Sequence, residues 1–144
     1  HGNPLLFCYT ISSNNTIQNK WQAEIGMHSK VPTPGTPVRG SKSGKPIMAL
    51  FDLLGRSWAL GVIWQLSDGP ATFRQLQEKY EQVSPTVLNK RIKELTASGL
   101  IERGDSGYQL SGNGTDLFRL LEPFGGWSQK WAAELATSKP NLEL

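Results

Sequence analysis

The stretch SPTVLNKRIKEL, which begins at Ser84, holds the side chains best suited to chemistry. At 100° per residue, one side of a helix here carries Thr86, Asn89, Lys90 and Lys93. Carboxamide and ammonium groups can donate hydrogen bonds to base edges, and the amides at a helix N-terminus can hold a phosphate. The pattern therefore predicts contact with DNA. A solvated helix face, the commonest fate of surface lysines, is the alternative.

Residues that do catalytic or metal chemistry are few and scattered. The two histidines are His1 and His28, and the one cysteine is Cys8, which gives no metal-ligand spacing. The segment SKSGK, from Ser41 to Lys45, resembles part of a phosphate-binding loop, but it lacks the leading glycine and a preceding apolar strand. We therefore expect no enzyme, no metal and no cofactor.

Length and composition limit the fold to one domain with tails, or at most two small pieces. The chain has 144 residues, 38% of them hydrophobic, and a net charge of +3. A small domain buries a modest share of its surface, so association with a second copy would help. The mild basic excess permits a polyanionic partner and fits an ordinary basic surface equally well.

Cysteine usage and hydropathy bear on localisation. One cysteine excludes an intramolecular disulfide framework and favours a reducing compartment. No apolar run approaches the roughly 18 residues of a membrane span, and the N-terminus lacks the segments of a secretory signal. We expect a cytoplasmic, nucleoid-associated protein without a membrane partner.

The chain divides near residue 45. Residues 1–44 show no sustained periodicity, and VPTPGTPVRGSKSGKP is rich in Pro, Gly and Ser, which predicts a flexible arm. Met27 is a candidate start codon, so residues 1–26 are either native or an upstream or engineered extension. The second half of the arm is basic, and it either follows the phosphate backbone of a nucleic acid or forms a solvated linker. Residues 138–144 form a C-terminal tail.

Residues 45–137 carry the signals of a folded domain. Pro46 suits the first position of a helix that ends at Gly55 and has apolar residues at helical spacing: Ile47, Leu50, Phe51 and Leu54. Ser57 is the expected cap of a second helix, whose inward residues are Ala59, Val62, Ile63 and Leu66. A turn at SDGP precedes a third helix, which is capped by Thr72 and has one face formed by Phe73, Leu76 and Tyr80.

A fourth helix and a hairpin follow. Ser84 and Pro85 open the helix and Gly99 closes it, with an inward face of Leu88, Ile92 and Leu95. LIER and GYQL form two short strands around the turn at 104–107. Ser111 caps a last helix that carries a seam of Leu117, Leu121, Phe124 and Trp131. The order predicts a mainly α winged helix-turn-helix with a small β-wing.

The stretch from Gly55 to Arg103 closely resembles the HxlR-type branch of the MarR-like winged-helix regulators. The matching features are, in order, Gly55 and Trp58, the Asp68–Pro70 turn, Phe73 and Leu76, SPTVLNKRIKEL and GLIER, then Tyr108, Leu110, Gly114, Leu117, Trp127 and Trp131. Their order and spacing together are specific, and the resemblance covers about residues 45–132.

The resemblance implies a dimeric bacterial transcription regulator, often a repressor, that binds an inverted-repeat operator in double-stranded DNA. Its recognition-helix face would consist of Ser84, Thr86, Asn89, Lys90 and Lys93. Arg91 lies between that face and the core, where it would contact a phosphate or form an internal salt bridge. The other DNA contacts would be phosphate contacts from Arg56 and Arg74 and a wing contact from Arg103.

Apolar residues of the first and last helices predict a surface too large for a monomer to expose to water. We expect the homodimer, joined through its terminal helices, to bury Ile47, Phe51, Leu117, Phe118, Leu121, Phe124, Trp127 and Trp131. The alternative is that some of these side chains line a pocket between subunits for a small-molecule effector.

Two positions depart from the family pattern. Redox-sensing members carry a Cys-Pro pair before the first helix, where this chain has Lys45 and Pro46, so thiol sensing by that route is not expected. The family's proline early in the last helix is absent at Arg119, and the interruption at Pro123, Gly125 and Gly126 predicts a kinked dimer arm. The other function that fits is a winged-helix dimer acting as a protein-protein interaction module without sequence-specific DNA binding.

Overall fold

The computed structural model describes residues 31–138, which form six helices and one two-stranded antiparallel sheet. The helices are α1 Pro46–Leu54, α2 Ala59–Leu66, α3 Phe73–Lys79, α4 Pro85–Ala97, α5 Gly112–Leu121 and α6 Pro123–Ser138. The strands, β1 Ile101–Gly104 and β2 Gly107–Leu110, lie between α4 and α5. This order confirms the predicted fold class, a mainly helical domain with a small β-wing.

Residues 31–44 form a hydrogen-bonded loop. The amide of Gly35 donates to the carbonyl of Gly44 at 2.8 Å, and Val38 and Ser41 exchange two backbone hydrogen bonds of 2.8 and 3.1 Å. These bonds fold the loop back on itself before α1. The flexibility predicted for residues 1–44 stays a prediction, and in residues 31–44 these bonds define a local turn.

The entry to α2 differs from the prediction that Ser57 caps it. Trp58 occupies the cap position with φ 72° and ψ −6°, in the left-handed region, and its side chain makes no capping bond. Such a conformation costs a non-glycine residue roughly 1–2 kcal/mol. The Trp58 ring lies 5.4 Å from that of Tyr80 and packs on the core, which offsets this cost.

The predicted caps of α3 and α4 are confirmed. Thr72 and Gln75 form a capping box, in which each side chain accepts a hydrogen bond from the other's backbone amide. The Ser84 hydroxyl accepts from the Val87 amide at 3.2 Å. Gly99 ends α4 with φ +74° and supplies the left-handed turn that side chains disfavour. Both ends of α4 are therefore fixed by local sequence.

The core lies between α1 to α5 and the first strand. Its buried apolar members include Leu53, Val62, Ile63, Leu66, Leu76, Leu88, Ile92, Leu95, Ile101 and Leu121. The inward faces predicted for α2 and α4 are confirmed. The prediction that Leu121 lies at the dimer interface needs correction. Leu121 is buried in the core of its own chain and does not reach the surface.

The two most apolar helices are α1 and α2. In the described part of the chain no single helix has the length and apolar character to span a bilayer, and only these two together meet both requirements, as a pair bent by 86°. α2 buries Ala59, Val62, Ile63 and Leu66 in the core. α1 buries Ala49 and Leu53, and its other apolar residues lie partly or fully exposed.

The wing is anchored to the start of α3. The two strands pair antiparallel around a turn at Asp105 and Ser106. The backbones of Ala71 and Tyr108 exchange hydrogen bonds of 2.9 and 2.8 Å, which fixes the base of the hairpin. A Cβ atom at Gly107 would lie 2.6 Å from the Ala71 backbone, so only glycine permits this close approach.

The predicted last helix is two helices. α5 ends at Leu121, and Pro123 starts α6 because it has no amide hydrogen with which to continue the earlier helix. Gly125 and Gly126 lie inside α6 and do not break it. The interruption that we expected at these residues is thus a break at Pro123 alone.

Candidate nucleic-acid interface

The outer face of α4 carries the side chains predicted to read DNA. Ser84, Thr86, Asn89 and Lys93 are exposed, and Lys90 is half-buried at the edge of this face. The Ser84 hydroxyl caps the helix, so its oxygen is already used once as an acceptor. The face therefore offers one carboxamide, two ammonium groups and two hydroxyls to a partner, and the Ser84 hydroxyl can still donate.

A buried ion network fixes α4 on its buried side. The Glu94 carboxylate accepts from Nη1 of Arg56 at 2.8 Å and from Nη1 of Arg91 at 3.0 Å. Arg91 Nε donates to the carbonyl of Ser57 at 2.7 Å, and Arg56 Nε lies 3.7 Å from Oδ1 of Asp52. The network joins α1, the connection to α2 and α4. It fixes the orientation of the exposed face.

Two arginines of this network are also predicted to contact phosphates. The Arg56 side chain is 9% exposed and paired with carboxylates, so it helps to position α4, and its phosphate contact stays a prediction. For Arg91, 13% exposed, the predicted internal salt bridge is confirmed. Sequence reasoning missed Glu94 and Asp52. Their i,i+3 and i,i+4 spacings to Arg91 and Arg56 were the available signals.

Arg74 and Arg103 keep exposed guanidinium groups. Arg74, on α3, pairs on the surface with Glu78 at 3.1 Å, an interaction that solvent weakens. The Arg103 guanidinium lies 5.7 Å from the Tyr108 ring centroid, close enough for a cation–π contact. That contact holds Arg103 over the wing, whose sequence also includes the acidic residues Glu102 and Asp105.

Large apolar side chains are exposed on α1, α2, α5 and α6, and we call them together the apolar surface. Its large exposed members are Ile47, Phe51, Leu60, Trp64, Leu120, Phe124, Trp127, Trp131 and Leu135. The rings of Trp127 and Trp131 stack at 5.8 Å. Five of the eight predicted interface residues thus lie on this surface. Leu60, Trp64, Leu120 and Leu135 were missed, although Leu135 continues the helical spacing of the two tryptophans.

Two other predicted interface residues, Leu117 and Phe118, are partly buried against the core. The Phe118 ring contacts that of Trp64 edge-on, with centroids 5.3 Å apart. These residues therefore support the apolar surface from beneath and are not its most exposed part.

Within residues 31–138, no group of three or more His, Cys, Asp or Glu side chains is placed to hold a metal ion. His1, His28, Cys8 and the whole of residues 1–26 lie outside the described residues. The tail beyond Ser138 lies outside them as well.

Comparisons with known proteins agree with this geometry. A family model described as HxlR-like helix-turn-helix matches residues 53–136. The HTH-type transcriptional regulator YodB of Bacillus subtilis (strain 168) is 30% identical over 88 residues, which cover 56% of this chain and 79% of YodB. YvaP, an uncharacterized HTH-type transcriptional regulator of the same organism, is 29% identical over 86 residues, covering 58% and 80% of the two chains.

Solved structures share the fold. The quinone-bound YodB of B. subtilis has a TM-score of 0.54 at 31% identity and covers 58% of this chain and 96% of its own. A MarR-family transcriptional regulator of Enterococcus faecalis V583 has a TM-score of 0.56 at 20% identity, covering 69% and 97%, and is similar in fold alone. The family match extends over more than half of the chain. The protein belongs to the HxlR-like helix-turn-helix family of transcriptional regulators.

Proposed function

We propose that the protein is a dimeric repressor that binds an inverted-repeat operator with α4 in the major groove. The observation that carries this proposal is the exposed polar face of α4, held at a fixed orientation by a buried ion network. A helix that reads bases must be positioned rigidly, since discrimination depends on hydrogen-bond geometry. An ordinary solvated surface helix needs no such support.

The side chains divide into two roles. Asn89 is suited to a bidentate contact with adenine, and Lys90 and Lys93 to guanine or to phosphates. Arg74 on α3 and Arg103 on the wing would contact the backbone, and Arg103 is also placed to enter a minor groove. Backbone contacts position the protein, whereas Asn89 supplies sequence preference.

A second copy would cover the apolar surface of α6 and α1. Stacked, exposed tryptophans on one helix are costly for a monomer in water. A two-fold dimer would place two copies of α4 about one helical turn of DNA apart, roughly 34–36 Å. This symmetry is the reason for proposing an inverted repeat.

Selection of binding sites from random duplex DNA at physiological salt tests the proposal. We expect an enriched inverted repeat, and Asn89→Ala should weaken binding by about 1–3 kcal/mol at one base pair of each half-site. Gln129→Ala, which removes an exposed carboxamide from α6, is the matched control and should change nothing. Unchanged affinity and preference for Asn89→Ala would refute base readout by this face.

One observation favours the second candidate, a protein-interaction module. The wing carries two exposed carboxylates, Glu102 and Asp105, and negative charge on this element would oppose its approach to phosphates. The salt dependence of binding distinguishes the two functions, because DNA affinity falls steeply with salt and an apolar protein contact lacks that slope.

A small-molecule effector is the last part of the proposal. YodB, one of the similar proteins, has been solved with a quinone bound. In this chain a flat organic effector would bind among the aromatic side chains between subunits. A quinone that raises the melting temperature of the dimer and lowers its DNA affinity would support this role, and a quinone that changes neither would oppose it.

A further inference from the structure

A basic cleft lies beside the recognition helix. It has a volume of about 140 Å³ and is lined by Arg39, Gly55, Arg56, Ser57, Lys90 and Arg91. Three segments meet there: the 31–44 loop, the connection between α1 and α2, and the edge of α4. Four of the six lining residues are cationic, so the cleft is suited to an anion.

The fold of the 31–44 loop brings Arg39 to this cleft. Arg39 and Gly40 form the tip of the turn closed by the paired backbones of Val38 and Ser41, and Gly40 adopts φ +83°. The backbone amide of Arg39 donates to Oδ2 of Asp52 on α1 at 3.0 Å. The loop is thereby fastened to the domain at the residue that lines the cleft.

The charges of the cleft are only partly compensated. Arg56 and Arg91 are engaged with Glu94, at 2.8 and 3.0 Å. Arg39 Nε is 4.0 Å from Asp52, and its side chain is 80% exposed, so this ion pair is weak. Within residues 31–138, Lys90 forms no ion pair. The cleft therefore keeps a net positive charge that centres on Arg39 and Lys90.

We propose that this cleft binds a backbone phosphate of the operator, with the 31–44 loop as an additional arm of the DNA interface. The inference rests on the proposed function. Lys90 belongs both to the cleft and to the edge of the reading face, so a phosphate held there belongs to DNA docked on α4. The fork of the Arg39 guanidinium matches two phosphate oxygens, and the Ser57 hydroxyl can donate to a third.

The salt dependence of DNA binding tests the assignment. For Arg39→Gln, the slope of log association constant against log salt should become less steep by about 0.9, which corresponds to one lost phosphate contact. All sequences should be weakened alike, since a phosphate contact carries no base preference. Arg39→Lys, which keeps the charge, should keep most of the slope.

Lys42→Gln is the matched control. Lys42 is an exposed cation of the same loop outside the cleft, and its replacement removes the same charge. We expect it to leave the slope unchanged. Equal effects of Lys42→Gln and Arg39→Gln would overturn the proposal, because they would indicate general attraction by a basic loop.

Inorganic phosphate distinguishes the two sources of the anion. If the free protein bound phosphate saturably at physiological salt while Arg39→Gln left the DNA slope unchanged, the cleft would be a site for a small anion and the proposal would be wrong. Normal DNA binding by Arg39→Gln would overturn this inference alone. Failure of the unmodified protein to bind any duplex would overturn the proposed function as well.

Discussion

Replacing Glu94 with glutamine should destabilise the fold more than any exposed charge change. Glu94 is completely buried and is the shared acceptor of Arg56 and Arg91. Glutamine has the same shape but only one carbonyl oxygen, and its amide group would turn two hydrogens toward the second guanidinium. One arginine would therefore lose its acceptor, and both would lose the compensating charge.

The magnitude follows from burial. Removing one partner of a buried ion pair costs about 3–5 kcal/mol, because the remaining charge is left without compensation. The side chains of Arg56 and Arg91 keep 9% and 13% exposure, which admits some water and places the expected loss near the lower bound. A loss of about 3 kcal/mol is a large part of the 5–15 kcal/mol typical of a domain.

Urea unfolding measures this loss directly. The midpoint of Glu94→Gln should fall while the dependence on urea concentration stays the same. The control is Glu134→Gln on α6, whose ion pair with Lys130 is 3.9 Å long and exposed and should contribute less than about 1 kcal/mol. Equal losses for the two variants would refute the argument, because they would mean that the Glu94 network is solvated.

Three further predictions concern other parts of the chain. Thr72→Ala removes the cap of α3 and should lower the free energy of unfolding by about 1 kcal/mol in urea, whereas Thr137→Ala near the end of α6 should not. Burial, reinforced by the negative charge of Asp68, raises the pKa of the Tyr80 phenol above 10.0. The neutral phenol therefore contributes to the free energy of unfolding, and this contribution is complete below pH 10.0 and lost as the pH rises through the pKa of the folded state. Melting curves at alkaline pH should show this loss in the unmodified protein and not in Tyr80→Phe. The thiol oxidant diamide should leave DNA affinity unchanged in gel shifts, because Lys45 stands before α1 where a thiol-sensing cysteine would be expected, and a diamide-dependent release of DNA, for example through a disulfide between two copies of Cys8, would contradict this.

The features that the sequence predicted correctly depend on residues close together in the chain. The ends of α4 follow from Ser84, Pro85 and Gly99, and its inward face follows from three apolar residues at helical spacing. The hairpin follows from two short strands around a glycine-containing turn. Each of these is set by capping, periodicity or turn chemistry within about a dozen residues.

The features that were missed depend on contacts between distant segments. Arg56 and Glu94 are 38 residues apart, and no periodicity relates them. Trp58 takes a left-handed conformation because its ring packs on Tyr80, a contact that overrides the local cap at Ser57. The ion pairs of Arg56 with Glu94 and Asp52 were therefore not predicted.

α1 is the element where the two parts of the proposed function meet. One side of this helix exposes Ile47 and Phe51, which we propose contact a second copy, and the adjacent Asp52 contacts Arg56 and the amide of Arg39. Arg56 in turn binds the Glu94 carboxylate of the recognition helix. Packed side chains shift between discrete arrangements and do not deform continuously. A change in the packing of α1 at the proposed dimer interface would therefore move both the exposed face of α4 and the phosphate cleft. An effector bound between subunits would then alter DNA affinity without touching α4.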